Sequence, residues 1–406
     1  MDKAIQQYMV ITGNYWAFTL TDGALRMLVV LHFNSLGYSP LEIAMLFLFY
    51  EFFGIVTNLV GGWLGARIGL NRTMHIGLFL QVGALLMLTV PAALLTVPWV
   101  MAAQALSGIA KDLNKMSAKS SIKLLIPDDA QGALYRWVAL LTGSKNTLKG
   151  VGFFLGAALL ALLGFAGAVW AMVIMLLVVA VASLFLLQAE LGKARNKPKF
   201  SEMLSKDSRV NRLSAARVFL FGARDVWFVV ALPVFMASQL GWDPWWVGAF
   251  MAAWVIGYGG VQSQAPRLTR RADGGLPDGR TLALWAVALA ATPLLMAFGL
   301  AGTVPVAPLL VVGLLIFGVL FAINSSLHSY LIVSYAKADG VSMDVGFYYM
   351  ANAMGRLTGT VLSGWVYQVW GLTACLLVSA VFVLLAAVIA RPLPKPGEAS
   401  SGERLP

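Results

Sequence analysis

Apolar stretches broken by short polar segments recur along the whole chain, at about residues 8–34, 40–62, 73–94, 97–118, 137–160 and 166–188. After a polar gap they resume at about 214–238, 245–266, 281–300, 306–332, 344–368 and 372–390. Each supplies the roughly 20 residues that a helix needs to cross a bilayer, so the pattern predicts an all-α membrane protein with twelve transmembrane helices. The pattern also repeats at half length. LGYSP at Leu36–Pro40 returns as LGWDP at Leu240–Pro244, an offset of 240 − 36 = 204, each time after the first span of a six-helix half. Arg67 matches Arg271 at the same offset, and Asn114 and Asn324 both fall in a fourth span. The predicted organisation is two pseudo-symmetric six-helix bundles, 1–190 and 213–390, joined by a basic linker at 191–212. The tail 391–406, rich in Pro, Gly, Ser and Glu, is expected to be disordered.

Composition agrees: 406 residues that are 59% hydrophobic and 12% charged exclude an ordinary soluble domain. The net charge of +11 changes the picture only through its placement. Of 29 Lys and Arg, 21 fall at alternate inter-span segments or at the termini, and the opposite connections contain none. That is the positive-inside pattern with both termini cytoplasmic, and it explains the basic balance without nucleic acid. The first apolar stretch carries Asp22 and Arg26, unlike a cleaved signal, and is expected to be retained. Cys375 is the only cysteine, and His32, His75 and His328 are scattered, so no metal site and no cofactor is expected.

The other eight basic residues lie inside the predicted spans: Arg26, Lys111, Lys115, Lys145, Lys149, Arg217, Arg224 and Arg356. Each costs about 2.5 to 3.5 kcal/mol to insert, and only Asp22, Glu51, Asp112 and Asp225 lie at similar depth. On span four, Lys111 and Lys115 share a helical face, with Asp112 placed to neutralise Lys115 in part and Lys119 one turn nearer the cytoplasm. On span five, Lys145 and Lys149 are also four apart, beside Asn146 and Thr142, and have no acid on their own helix. Asp22 and Arg26 are spaced for an internal ion pair. Arg224 and Asp225 are adjacent and point about 100° apart, toward different partners. Arg356, beside Asn352 on span eleven, is the approximate counterpart of Lys149 and has the fork geometry for a phosphate or carboxylate. Arg217 is read as snorkelling to the nearby surface. The predicted substrate set is Lys111, Lys115, Lys145, Lys149, Arg356, Asn146, Asn352 and Arg224, around a small polyanion. Asp22, Arg26, Asp225, Glu51 and Arg67 are candidates for coupling or gating.

Between spans two and three the chain reads GGWLGARIGLNR, which resembles the loop pattern of major facilitator transporters at Gly62, Leu64, Ala66, Arg67, Gly69 and Arg72. The family's acid is Ala66 here, which removes that member of the gating lock. Gly150, Gly152 and Gly156 resemble the Gly-rich stretch of facilitator antiporters, with close helix packing as the simpler explanation. The stretches GNYWAFTLTDGALRMLVVLHF, LSGIAKDLNKMSAKSSIKLL, LTGSKNTLKGVGFFLG and LFGARDVWFVVALPVF resemble the ArsJ group of this superfamily. The resemblance implies parallel halves with a substrate site between them, and a bacterial inner-membrane exporter of 1-arseno-3-phosphoglycerate. A glyceraldehyde-3-phosphate dehydrogenase that makes this ester from arsenate is the implied functional partner. One buried cysteine cannot supply the thiolates that trivalent arsenic prefers. Three other readings are an arsenic-free organophosphate or organic-anion carrier, a membrane enzyme and a transport-dead sensor. No nucleophile, base and acid set supports the enzyme reading.

Overall fold

The structure, a computed structural model, describes residues 3–38, 46–127, 130–187, 191–195, 197–242, 244–269 and 276–397. Among these the regular elements are helices: α1 (Lys3–Ser35), α2 (Leu48–Ile68), α3 (Leu70–Met87), α4 (Val97–Leu125), α5 (Gln131–Leu186), α6 (Ser208–Phe228), α7 (Ala231–Ser238), α8 (Pro244–Leu268), α9 (Gly279–Leu300), α10 (Val306–Tyr335) and α11 (Val341–Ala390), with two short 3₁₀ turns. Pro98 sits in the first turn of α4, where its missing N–H costs nothing. Asp207 and Asp278 cap α6 and α9 by accepting Arg209 N–H at 2.8 Å and Thr281 N–H at 2.9 Å.

α5 and α11, of 56 and 50 residues, are each too long for one crossing. Gly164 (φ 68°, ψ 179°) and Gly371 (φ 74°, ψ −173°) break them with nearly the same left-handed dihedrals, so each supplies two predicted spans. Among the described residues five helical stretches are long and apolar enough to cross a membrane: α5, α6 with α7, α9, α10 and α11. Phe185, Leu162, Leu284, Phe298 and Val388 expose large apolar side chains, as a lipid-facing surface requires.

The chain divides into two compact units. Unit 1 gathers Met1–Ala130, Ser144–Leu204 and Ala336–Met350; unit 2 gathers Gln131–Gly143, Ser205–Tyr335 and Ala351–Pro406. The start of α5 thus belongs to unit 2 and the start of α11 to unit 1. The linker divides too, with 191–204 in unit 1 and 205–212 in unit 2. In the tail, Gly279 N–H donates to Leu393 O at 3.2 Å and Leu393 is buried. The Glu51 side chain, Arg271, Pro40, Asp243 and the tail beyond 397 lie outside the described residues.

Glycine contacts fix the repeat register. In unit 1 a Cβ on Gly152 would meet Leu20 O at 2.7 Å and one on Gly156 would strike Ala24 O, so α1 and α5 approach backbone to backbone. In unit 2 Gly355 and Gly359 stand in the same way against Val218 O and Gly222 O. α1 residues therefore map onto α6 at 218 − 20 = 198, and α5 onto α11 at 355 − 152 = 203. By this register Arg26 corresponds to Arg224, and Lys149 to Asn352 rather than Arg356. The loop motif's offset of 204 exceeds 198 by six residues, which enter between Arg224 and Leu240, the stretch in which span seven breaks between α6 and α7. Ser363 Oγ there accepts the N–H groups of Val230 (3.4 Å) and Ala231 (3.1 Å), which the break strips of helical partners.

Candidate substrate site

In unit 1 the predicted cations converge. Lys115 Nζ lies 2.5 Å from Asp112 Oδ1, and Lys111 Nζ lies 4.0 Å from Asp112 Oδ2. Asp112 is 2% exposed, so both lysines meet it in a region of low dielectric where the attraction is strong. Lys149 on α5 is within electrostatic range of Arg26 and Asp22 on α1, of Lys145, and of Lys111 on α4. Lys145 Nζ donates to Asn146 Oδ1 at 3.3 Å. The Asp22 carboxylate accepts the Tyr50 O–H at 2.6 Å.

Aromatic rings line this cluster, and the sequence reading missed them. Lys111 Nζ lies 3.7 Å from the Tyr50 ring centroid, and the Arg26 guanidinium 4.8 Å from the same centroid. Lys115 and Lys119 lie 4.7 and 5.0 Å from the Tyr349 ring centroid. Such contacts stabilise a cation without cancelling its charge. Lys119, read as belonging to the cytoplasmic side, is 4% exposed because α4 continues to Leu125. Tyr15 is 2% exposed and within electrostatic range of Tyr349, Asp112 and Asp22. Its hydroxyl and Asp112 Oδ2 are buried without a hydrogen-bond partner among the described residues.

Unit 2 holds a different arrangement. Asp225, fully buried, bridges two arginines: Arg224 Nη2 lies 2.6 Å from Oδ1 and Arg356 Nε 3.3 Å from Oδ2. One expectation is corrected here. Arg224 does not diverge from Asp225, because its long side chain curls back, and Arg356 has an ionic partner. Arg217 is corrected as well: it is 3% exposed, donates to Asn352 Oδ1 at 2.8 Å and stacks 3.8 Å from the Phe221 ring centroid, so it does not snorkel. Asn114 and Asn324, whose side chains donate to Ala110 O (3.0 Å) and Leu320 O (2.9 Å), align α4 with α10 at an offset of 210. At that register Lys111 and Lys115 correspond to Phe321 and Ser325. Unit 1 is cationic where unit 2 is aromatic and hydroxylic.

Arg67, at the end of α2, lies 5.2 Å from the Trp63 ring centroid. Ala66 offers only its backbone there, and Ser342 Oγ, at the start of α11, donates to Gly62 O at 2.7 Å. A Cβ on Gly62 would meet Ser342 O at 2.5 Å, so α2 and the start of α11 pack closely.

The Major Facilitator Superfamily model matches residues 11–339 and 218–405. Among solved structures, the human organic anion transporter MFSD10 (TETRAN) superposes with a TM-score of 0.77 at 15% identity, covering 96% of this chain and 100% of that one. The E. coli fucose:proton symporter FucP gives 0.73 at 12% identity, covering 96% and 98% of the two chains. The proton:xylose symporter XylE gives 0.74 at 12% identity, covering 97% of each. At such identities the likeness concerns the fold. No curated protein sequence matches. With the helical architecture and the family match together, the chain belongs to the major facilitator superfamily, whose members are membrane transporters and not enzymes.

Proposed function

We propose that this transporter exports a small organic polyanion, namely 1-arseno-3-phosphoglycerate, from the bacterial cytoplasm across the inner membrane, and so confers arsenate resistance. The observation that carries the polyanion is the concentration of cations inside unit 1. Six cations (Arg26, Lys111, Lys115, Lys119, Lys145 and Lys149) share its interior with Asp22 and Asp112 as the described acids. An anion with oxygens at both ends of a three-carbon chain can engage several of these cations at once through charge-assisted hydrogen bonds. The arsenic identity rests on the ArsJ resemblance and on the absence of a thiolate set. A glyceraldehyde-3-phosphate dehydrogenase that makes the ester completes the system, and hydrolysis outside the cell makes export irreversible.

With the interior negative, outward movement of an anion is downhill by about 2.3 kcal/mol per charge per 100 mV. Export by alternating access is therefore an electrogenic uniport. The test is growth on arsenate and on arsenite of cells carrying this gene with the dehydrogenase, paired with uptake of phosphorylated three-carbon acids by everted vesicles. Resistance to arsenate alone is expected. Vesicle uptake without resistance assigns the chain instead to organophosphate or organic-anion transport, and neither outcome removes the polyanion reading.

A further inference from the structure

The segment after span six is bound to unit 1 as a strap. Leu191 O accepts Leu70 N–H at 2.7 Å, and Ala194 N–H donates to Ala66 O at 2.8 Å. Arg195 N–H donates to Asp339 Oδ1 at 2.9 Å, and Pro198 O accepts Trp63 Nε1–H at 3.0 Å. Gly192 takes φ +76°, and a Cβ there would press on Leu70 at 2.5 Å. Because α2 and α3, which carry the predicted spans two and three, are separated only by Gly69, these anchors mark where two predicted spans meet, and this places the strap at the membrane boundary.

Its side chains alternate. Ala194 and Pro198 are buried, while Lys193, Arg195, Lys197 and Lys199 are exposed. Phe200 packs edge-on against Trp63, with ring centroids 5.5 Å apart, and is 58% exposed; Leu204 is 60% exposed. An open cavity of about 640 Å³ beside the strap is lined by Lys193, Arg195 and Asp339, among others. Cations in a row, exposed apolar side chains in the same segment and an indole at the boundary are the elements of an interfacial lipid contact.

We infer that this strap is a docking surface for anionic phospholipid headgroups of the bilayer the protein spans. Arg195, Lys197 and Lys199 meet the phosphates while Phe200 and Leu204 enter the acyl boundary. A soluble anion would use the cations but leave the two apolar side chains in water. The inference is independent of the transported substrate.

Full-length protein in detergent is titrated with phosphatidylglycerol or with phosphatidylcholine of the same acyl chains, and bound lipid is counted by native mass spectrometry. Preferential retention of the anionic lipid is expected, falling roughly fivefold for each cation removed in the combined Arg195→Gln, Lys197→Gln and Lys199→Gln variant. The charge-preserving combination Arg195→Lys, Lys197→Arg and Lys199→Arg retains the preference. So does a charge-matched control, Arg280→Gln, Arg391→Gln and Lys395→Gln, at exposed positions elsewhere. Equal retention of both lipids, or a strap variant indistinguishable from the control, overturns the inference. Displacement of bound lipid by equimolar glycerol phosphate also overturns it, in favour of a soluble-anion site.

Discussion

Asp112 and Asp225 are both buried acids between two cations, yet their surroundings give them different work. Asp225 has both oxygens engaged by arginines and ties α6 to α11 within unit 2. Asp225→Asn removes the carboxylate that both guanidiniums share, and thermal denaturation should show a loss of about 3–5 kcal/mol. Asp112 leaves Oδ2 without a hydrogen bond among the described residues, and under the proposed function it would compete with the anion for Lys111 and Lys115. Asp112→Asn should therefore tighten anion binding, about tenfold for each 1.4 kcal/mol of competition removed, as read by calorimetric titration. Lys149→Ala is expected to reduce anion uptake in everted vesicles at matched expression. Arg217→Ala should act mainly on stability, by roughly 1–3 kcal/mol, since it strips Asn352 and Ser325 of a donor. The lysine pairs were legible because residues four apart share a helix face. Their tyrosine partners were not, since Tyr50 and Tyr349 lie on helices far away in sequence.

Among the elements, the glycine contacts settle what Gly152 and Gly156 do: they let α1 and α5 touch. Gly152→Val should overpack that contact and cost about 1–3 kcal/mol, seen as a lower melting temperature without a specific loss of anion affinity. The start of α6 carries a pH dependence. Burial raises the Asp207 carboxyl pKa, but the side-chain and backbone hydrogen bonds from Arg209 outweigh it and hold the group below its ordinary value. With the folded value depressed, the cap's contribution is full above the unfolded pKa of about 3.9 and disappears as pH falls through the lower folded value. Amide exchange at Arg209 and Val210 should accelerate over that acid range in the wild type, while Asp207→Asn shows no such step. Hydropathy had already located these helices. It could not show the interruption of span seven, because Val229 and Val230 read as apolar helix and the Ser363 that serves the break lies 133 residues away.

For the whole molecule, the uniport reading predicts that collapsing the pH gradient alone, with the potential clamped, leaves export intact. Arrest of export in vesicles under those conditions would instead require a proton-binding carboxyl. The sequence by itself determined the membrane class, the span pattern, the half-length repeat and the concentration of intramembrane lysine on spans four and five. Those properties are local: apolar length sets whether a helix inserts, and helical periodicity sets which residues share its face. Only the tertiary structure decided which buried charges have partners, that Arg26 matches Arg224 in the repeat, and that the linker is a bonded strap. A hydrogen bond or ion pair exists over a few ångströms, and those separations arise between segments that packing brings together from distant parts of the chain.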